Sequence, residues 1–428
     1  MLGVGFGLTV AVGNTIGAGI FRAPGEVARH LPDPTWYLAA WAVGGLYALL
    51  GAIQLAELGA TLPRSGGQYV FTRHALGEYA GFVVGWSDWL STCGTTAAVS
   101  LVIGDFSGAL VPALSGRAVP VAGAVAVVFA VAQWHGIRRG SAVQTVTTLL
   151  KALAFGVLIA AAFALGGAGD AAAAAAAVPA GMALATAFLL SLQAVIYTYD
   201  GWSGPVYFGE EMRDPGRSVP RALFAGVLSI IAIYLLVNVS FLFVVPVTRL
   251  AGEAFAAGIV ASSIFGPNGE VVLRTLTIVS MLSAINAYHL MASRTLYAMS
   301  RDGLFSRHGA AVNKGGTPTT ALLLSTVVAL LFIGFGQTFG EVVTVLAFFF
   351  VANYTLSFIS VFALRRREPD RPRPYRAWGY PWTTAAALLG SALFLLGAIA
   401  GDTRHSLYAL LLLAASYPVF GLVRSVRL

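Results

Sequence analysis

The chain of 428 residues is 57% hydrophobic and only 10% charged, with a mean hydropathy of +0.79. Soluble domains carry about 25% charged residues, so a soluble enzyme is excluded although length alone would suggest two or three soluble domains. The formal charge of +8 raises nucleic-acid binding only until its distribution is read. A chain in a bilayer must satisfy its backbone polar groups internally, as helices or as a closed barrel. Barrel strands alternate over roughly ten residues. The runs Ala118–Trp134 and Ala321–Phe335 are long and do not alternate, so helices are predicted.

In chain order the apolar spans are 4–27, 35–61, 79–111, 118–135, 142–166, 180–209, 219–246, 271–299, 318–336, 340–364, 381–400 and 405–423, each near the ~20 residues a bilayer requires. The third and sixth exceed one crossing, which implies tilt or an extension beyond the bilayer. On this topology 19 of the 26 Lys and Arg residues fall on one side and six on the other, with Lys151 inside the fifth span. By the positive-inside rule the richer side is cytoplasmic, and so are both termini. The run LRRREPDRPRPYR (364–376) is then a cytoplasmic loop, and no nucleic-acid partner is expected. The first span opens without a basic leader or cleavage site, so no signal peptide is expected. Cys93, the single cysteine, excludes an intramolecular disulfide framework and reads as a small buried side chain. Asp170 and the alanines after it read as an outer loop or the frayed entry to the sixth span. The histidines have no metal-ligand spacing, so neither metal nor cofactor is expected.

Two spans cluster helix breakers beside polar groups. The first reads VGNTIGAGIFRAPG, with Gly13, Gly17 and Gly19; the sixth reads YTYDGWSGPVYFGEE, with Asp200, Gly201, Gly204 and Pro205. In a helix, glycine costs about 1 kcal/mol and interior proline about 3 kcal/mol. Unwound backbone at membrane depth is tolerated only where protein buries it or it lines a cavity. Close helix packing through small residues accounts for Gly13 and Gly17, but not for the clustered breakers. The two spans hold equivalent positions if 1–166 and 180–364 are five-helix repeats followed by two helices in 381–423. Paired interruptions in corresponding halves point to a transporter's substrate site.

The segment GNTIGAGIF resembles the first-helix signature of the amino acid–polyamine–organocation (APC) superfamily, and AELGATLPRSGGQYVF its motif from the second helix into the next loop. YTYDGWSGPVYFGEEMRDPGRSVPRAL is similar to the sixth-helix signature, above all in the L-type amino acid transporter (LAT) branch, and ASRTLYAMSRDGLF to the end of the eighth helix. These motifs stand in family order over nearly the whole chain. The resemblance implies an all-α membrane protein, one polytopic domain over 1–428 with about twelve transmembrane helices. Its fold would be a leucine-transporter-like 5+5 inverted repeat with broken helices 1 and 6. It implies a multi-pass cell-membrane (inner or plasma membrane) permease that moves an L-amino acid without sodium, by alternating access. No nucleophile–base pair or metal motif supports an embedded enzyme.

At the first break the amides of Ala18, Gly19 and Ile20 open a new helical half, whose free N–H groups and positive dipole end suit a carboxylate. Carbonyls at Thr15 and Ile16, and near Tyr199 and Asp200, would accept from an ammonium group. Gly17, Gly201, Tyr197 and Trp202 complete the predicted substrate set. Many family members have serine where Ala18 stands, so one hydroxyl contact is missing here. Tyr197 resembles the family's aromatic gate, closing from outside; aromatic packing is its other reading. Trp202 either lines the pocket or wedges the unwound backbone. Asp200, a carboxylate at mid-membrane, needs a role. It either reads a cationic side chain or caps the following half-helix. Capping is favoured, because family members for small neutral substrates also carry Asp-Gly-Trp.

GSAVQTVTTLLK resembles the family's fifth-helix lysine segment, which implies that Lys151 stands where sodium sits in coupled relatives, with Ser283 and Asn286 as polar neighbours. Snorkelling of Lys151 and packing hydrogen bonds of Ser283 and Asn286 are the plain readings. Glu57, Glu210 and Glu211 are expected in ion pairs on the cytoplasmic side. Exchange and proton coupling both remain open and turn on whether Lys151 titrates. Small neutral amino acids are the expected cargo; the alternatives are cationic amino acids held by Asp200, or a non-transporting amino acid sensor, which would need a signalling extension. The loop PALSGRAVP lacks the cysteine through which some LAT members join a single-span glycoprotein. A monomeric permease in the lipid bilayer, with no disulfide-linked heavy chain, is therefore expected.

Overall fold

A computed structural model describes residues 3–64, 66–134, 140–166, 180–314 and 316–425, with the backbone alone at 140–152. The Lys151 side chain and the alanine run after Asp170 lie outside the described residues. The protein is an all-α membrane protein. Its helices are α1 (Val4–Thr15), α2 (Ala18–His30), α3 (Pro34–Thr61), α4 (Gln68–Leu76), α5 (Glu78–Leu110), α6 (Ala118–Trp134), α7 (Gly140–Leu165), α8 (Met182–Tyr199) and α9 (Pro215–Val244). There follow α10 (Val247–Leu250), α11 (Ala256–Phe265), α12 (Pro267–Arg301), α13 (Thr319–Gly336), α14 (Phe339–Arg367), α15 (Trp382–Gly401), α16 (Thr403–Ala414) and α17 (Ser416–Ser425).

Helices stand at every predicted span. Among the described residues, nine segments are long and apolar enough to cross a bilayer, and the bent pair α1–α2 makes a tenth. Helix α6 is apolar but has only 17 residues. The 33 residues of α5 and 35 of α12 run about 50 Å at 1.5 Å per residue, more than the ~30 Å hydrocarbon thickness, in keeping with the tilt or extension expected of the third span. Helices α4 and α11 were not predicted. Both are too short for a hydropathy window tuned to whole crossings, and α4 also carries Arg73 and His74.

Local signals fix the ends. Asp33 caps α3, its carboxylate accepting from the amides of Thr35 at 2.9 Å and Trp36 at 3.0 Å, with Pro34 at the first helical position. Inside the bundle α3 packs along α9, while α5 runs between α6, α12, α13 and α14. On the outside, Leu393 and Leu396 are 58% and 66% exposed, an apolar surface that a bilayer supports and water does not.

The two breaks differ from each other. Between α1 and α2 only Ile16 and Gly17 leave the helix, and the axis turns by 46°. The sixth span, predicted as 180–209, leaves α-helical geometry at Tyr199. Gly201 has φ of +108°, a left-handed conformation that glycine adopts without a Cβ clash. Beyond it the chain forms 3₁₀ turns at Gly204–Tyr207 and Gly209–Glu211 rather than an α-helical half.

Candidate substrate site at the two helix breaks

The start of α2 has no side-chain cap, so its first amides are left for a ligand or water. Gly19 lets α2 lie against α8: a Cβ there would sit 2.9 Å from the Cα of Thr198. Gly201 packs the other way, its missing Cβ 3.0 Å from the Thr15 amide nitrogen. The breaks therefore interlock. Tyr234 of α9 pins them together, its hydroxyl donating to the Thr15 carbonyl at 2.7 Å and lying 3.1 Å from the Thr198 carbonyl. A carbonyl oxygen has two lone pairs, so each can still accept from a ligand. Tyr288 of α12 reaches the Asn14 carbonyl at 3.3 Å.

A small polar cavity of about 70 Å³ opens where the breaks face each other. Of the predicted substrate residues, Thr15, Gly17, Ala18, Gly19, Tyr197, Asp200 and Gly201 border it. Ile16, Ile20, Tyr199 and Trp202 do not; all four are buried in the surrounding core. Tyr199 packs on Trp41 and Tyr234. Trp202 stacks on Tyr354 at 5.3 Å and fills the space left by Gly51, which makes it a wedge behind the unwound backbone. Asp200 accepts from the Tyr354 hydroxyl at 2.5 Å. The capping role expected for it finds no α-helical half to cap.

At one end of the cavity, Tyr197 stands edge-on to Phe339 at 5.5 Å and stacks on Phe350 at 6.4 Å. The guanidinium of Arg22 lies 5.2 Å over the Phe339 ring and forms an ion pair with Asp105 of α5. Elsewhere the cavity is bordered by Gln68, Asp88, Tyr207 and Asn353, none of them predicted. The Tyr207 hydroxyl donates to Asp88 at 2.8 Å, and Ser357 donates to Gln68 at 3.1 Å. A signal for Asp88 does exist in the sequence: it is a carboxylate within the third apolar span, the same anomaly that marks Asp200.

The predicted grouping of Lys151, Ser283 and Asn286 falls partly outside the described residues. Asn286 does not border the cavity; its side-chain oxygen accepts from Gln133 of α6 at 2.7 Å. Ser283 lies one turn earlier on α12. Glu57, only 3% exposed, makes the ion pairs expected of it. Arg365 grips it at 2.8 and 2.6 Å, Arg373 lies at 3.3 Å, and the Ala377 amide donates at 2.7 Å. Glu210 and Glu211 are exposed and take no ion-pair partner among the described residues. Nearby, hydrogen bonds from Arg371, and then from His74, hold the Glu368 carboxyl below the usual carboxylate range.

Membrane helices interrupted twice around one polar cavity, with amides on one wall and carboxylates on others, define a small-molecule transporter class. The chain belongs to the amino acid permease family, whose model matches residues 6–420. It is similar to the serine/threonine exchanger SteT of Bacillus subtilis, at 29% identity covering 98% of this chain and 95% of that protein. It also resembles the human b(0,+)-type amino acid transporter 1, at 26% identity over 87% of this chain and 77% of that one. A third relative is the mouse Asc-type amino acid transporter 1, at 26% identity over 86% and 71%. The protein is thus an APC-superfamily amino acid transporter related to the LAT branch, and not an enzyme.

Proposed function

We propose that the protein carries an L-amino acid across the cell membrane by alternating access, without sodium, as a monomer with both termini in the cytoplasm and no disulfide-linked partner. The observation that carries this reading is the meeting, at one cavity, of the uncapped α2 amide end with the C-terminal end of α8. The substrate carboxylate takes the amides of Ala18 and Gly19, where the helix dipole is positive. Its ammonium group takes the negative end of α8 near Asp200, together with the Thr15 carbonyl that Tyr234 orients. Only main-chain atoms of the substrate are read by this clamp. Tyr197 closes over it, and the Arg22–Asp105 pair forms a second closure on the outer side. The segments 1–166 and 180–364 act as the two repeats that rock about the site. Lys151 supplies the charge that sodium provides in coupled relatives. Small neutral side chains remain the reading from family resemblance. Asp88, facing the same cavity as Asp200, favours a cationic cargo instead.

Uptake of labelled amino acids into proteoliposomes, with and without internal substrate and across pH, tests the proposal. Uptake that requires internal amino acid marks exchange; uptake driven by a proton gradient into empty vesicles marks proton coupling. Lys151→Ala is expected to impair turnover or abolish the pH response, and unchanged transport in that variant removes Lys151 from the mechanism. Binding without flux would replace transport by the sensor reading.

A further inference from the structure

Asp88 and Asp200 face one cavity from two elements, α5 and the end of α8. Each has a neutral partner: Asp88 receives the Tyr207 hydroxyl at 2.8 Å and Asp200 the Tyr354 hydroxyl at 2.5 Å. Neither pairs with Lys, Arg or His among the described residues, and the cavity lining there includes no such residue. Two carboxylates in one site away from bulk water repel each other, and each is costly without a cation. The clamp proposed above uses one of them, since the substrate's ammonium group lies by Asp200. Asp88 is left over. Beside it, the side-chain oxygens of Gln68 and Asn353 already accept from Ser357 and Ser87, so Asp88 is the strongest open acceptor on that wall. The Tyr207 oxygen, whose O–H donates to Asp88, keeps lone pairs for the same ligand.

We infer that Asp88 is a specificity-determining residue that receives a second cationic group at the end of the substrate's side chain, so that the preferred cargo is a diamino acid. This rests on the amino-acid reading of the site. The charges then balance locally: α-carboxylate at the α2 amides, α-ammonium at Asp200, side-chain ammonium between Asp88 and Tyr207.

Equilibrium binding to the purified full-length protein, titrated with matched pairs, tests it. The pairs are L-2-aminobutyrate against L-2,4-diaminobutyrate, L-norvaline against L-ornithine, and L-norleucine against L-lysine. At least one diamino member is expected to bind about tenfold or more tighter than its neutral match. Asp88→Asn is expected to bring that ratio near parity while neutral members still bind, and Asp88→Glu to restore part of it. Parity or a neutral preference in the unmodified protein overturns the inference, as does a preference that survives Asp88→Asn. Neutral binding that varies with pH, and loses that variation in Asp88→Asn, makes Asp88 a proton acceptor and also overturns it. If Asp88→Asn does not fold, Tyr207→Phe is expected to cut the ratio, and an unchanged ratio overturns the assignment. If neither series binds, the amino-acid reading itself falls and takes this inference with it.

Discussion

Tyr234→Phe deletes one hydroxyl and keeps the ring, which packs edge-on to Trp41 at 5.9 Å and Tyr199 at 5.1 Å. The deletion withdraws the donor that the Thr15 carbonyl receives at 2.7 Å and the Thr198 carbonyl shares at 3.1 Å. A buried polar group left without its partner costs about 1–3 kcal/mol. Because that hydroxyl fixes the two breaks relative to each other, the cost falls on the geometry of the clamp. At 1.4 kcal/mol per tenfold, it corresponds to a roughly 5–150-fold weaker substrate affinity. Initial-rate uptake in proteoliposomes should therefore show KM rising by at least about fivefold, with a smaller fall in maximal rate. A melting curve in detergent should confirm a folded protein. A KM within about twofold of the unmodified protein, below the cost of an orphaned buried carbonyl, would refute the idea that Tyr234 sets the clamp. A lowered melting temperature with unchanged KM would reduce the residue to packing.

Three further outcomes follow from the same geometry. Gly19→Ala places a methyl group 2.9 Å from the Thr198 Cα, an overpacking of about 1–3 kcal/mol; transport should fall sharply in a protein that still folds, and normal uptake would show that α2 and α8 can separate freely. Glu57→Gln leaves Arg365 and Arg373 without their shared carboxylate and should cost about 3–5 kcal/mol of stability. A melting temperature near that of the unmodified protein would contradict this. Glu368 has a lowered pKa in the folded protein, so its stabilising effect is present above its unfolded value of 4.5 and fades as pH falls through the folded one. Glu368→Gln should therefore cost less than about 1 kcal/mol of stability at neutral pH, as for a screened surface pair, and lower the melting temperature only slightly. The two proteins should converge in strongly acidic buffer, and a difference that persists there would locate the effect elsewhere.

Span positions were legible because a bilayer imposes one length scale on all crossing helices, and apolar runs report it directly. The first break was legible from Gly17 and Gly19, but the reason for each glycine was not. Gly17 has an ordinary extended backbone, with φ of −136°, whereas Gly19 is required by the approach of Thr198, a residue far away in sequence. The sixth helix was harder. Local propensity marks Asp200, Gly201 and Pro205 as breakers, yet the choice of 3₁₀ turns over a new α-helix depends on packing around Tyr207 and Trp202. Tyr234 was invisible for the same reason: a tyrosine in an apolar span carries no local sign that its hydroxyl reaches two carbonyls on other helices. Asp88 is legible on the same ground as Asp200, as a carboxylate within an apolar span, although no helix breaker stands beside it.

The interlock of the two breaks has a mechanical consequence. Gly201 sits against Thr15, Gly19 against Thr198, and Tyr234 bridges both. The breaks of the two helices thus share one small volume, and that volume adjoins the cavity. A body that swings about such a pivot sweeps far at its ends and hardly at all at its centre. Under the proposed alternating access, cargo held there would keep its main-chain contacts while the outer and inner mouths exchange openness, so a small molecule could stay bound through a large motion.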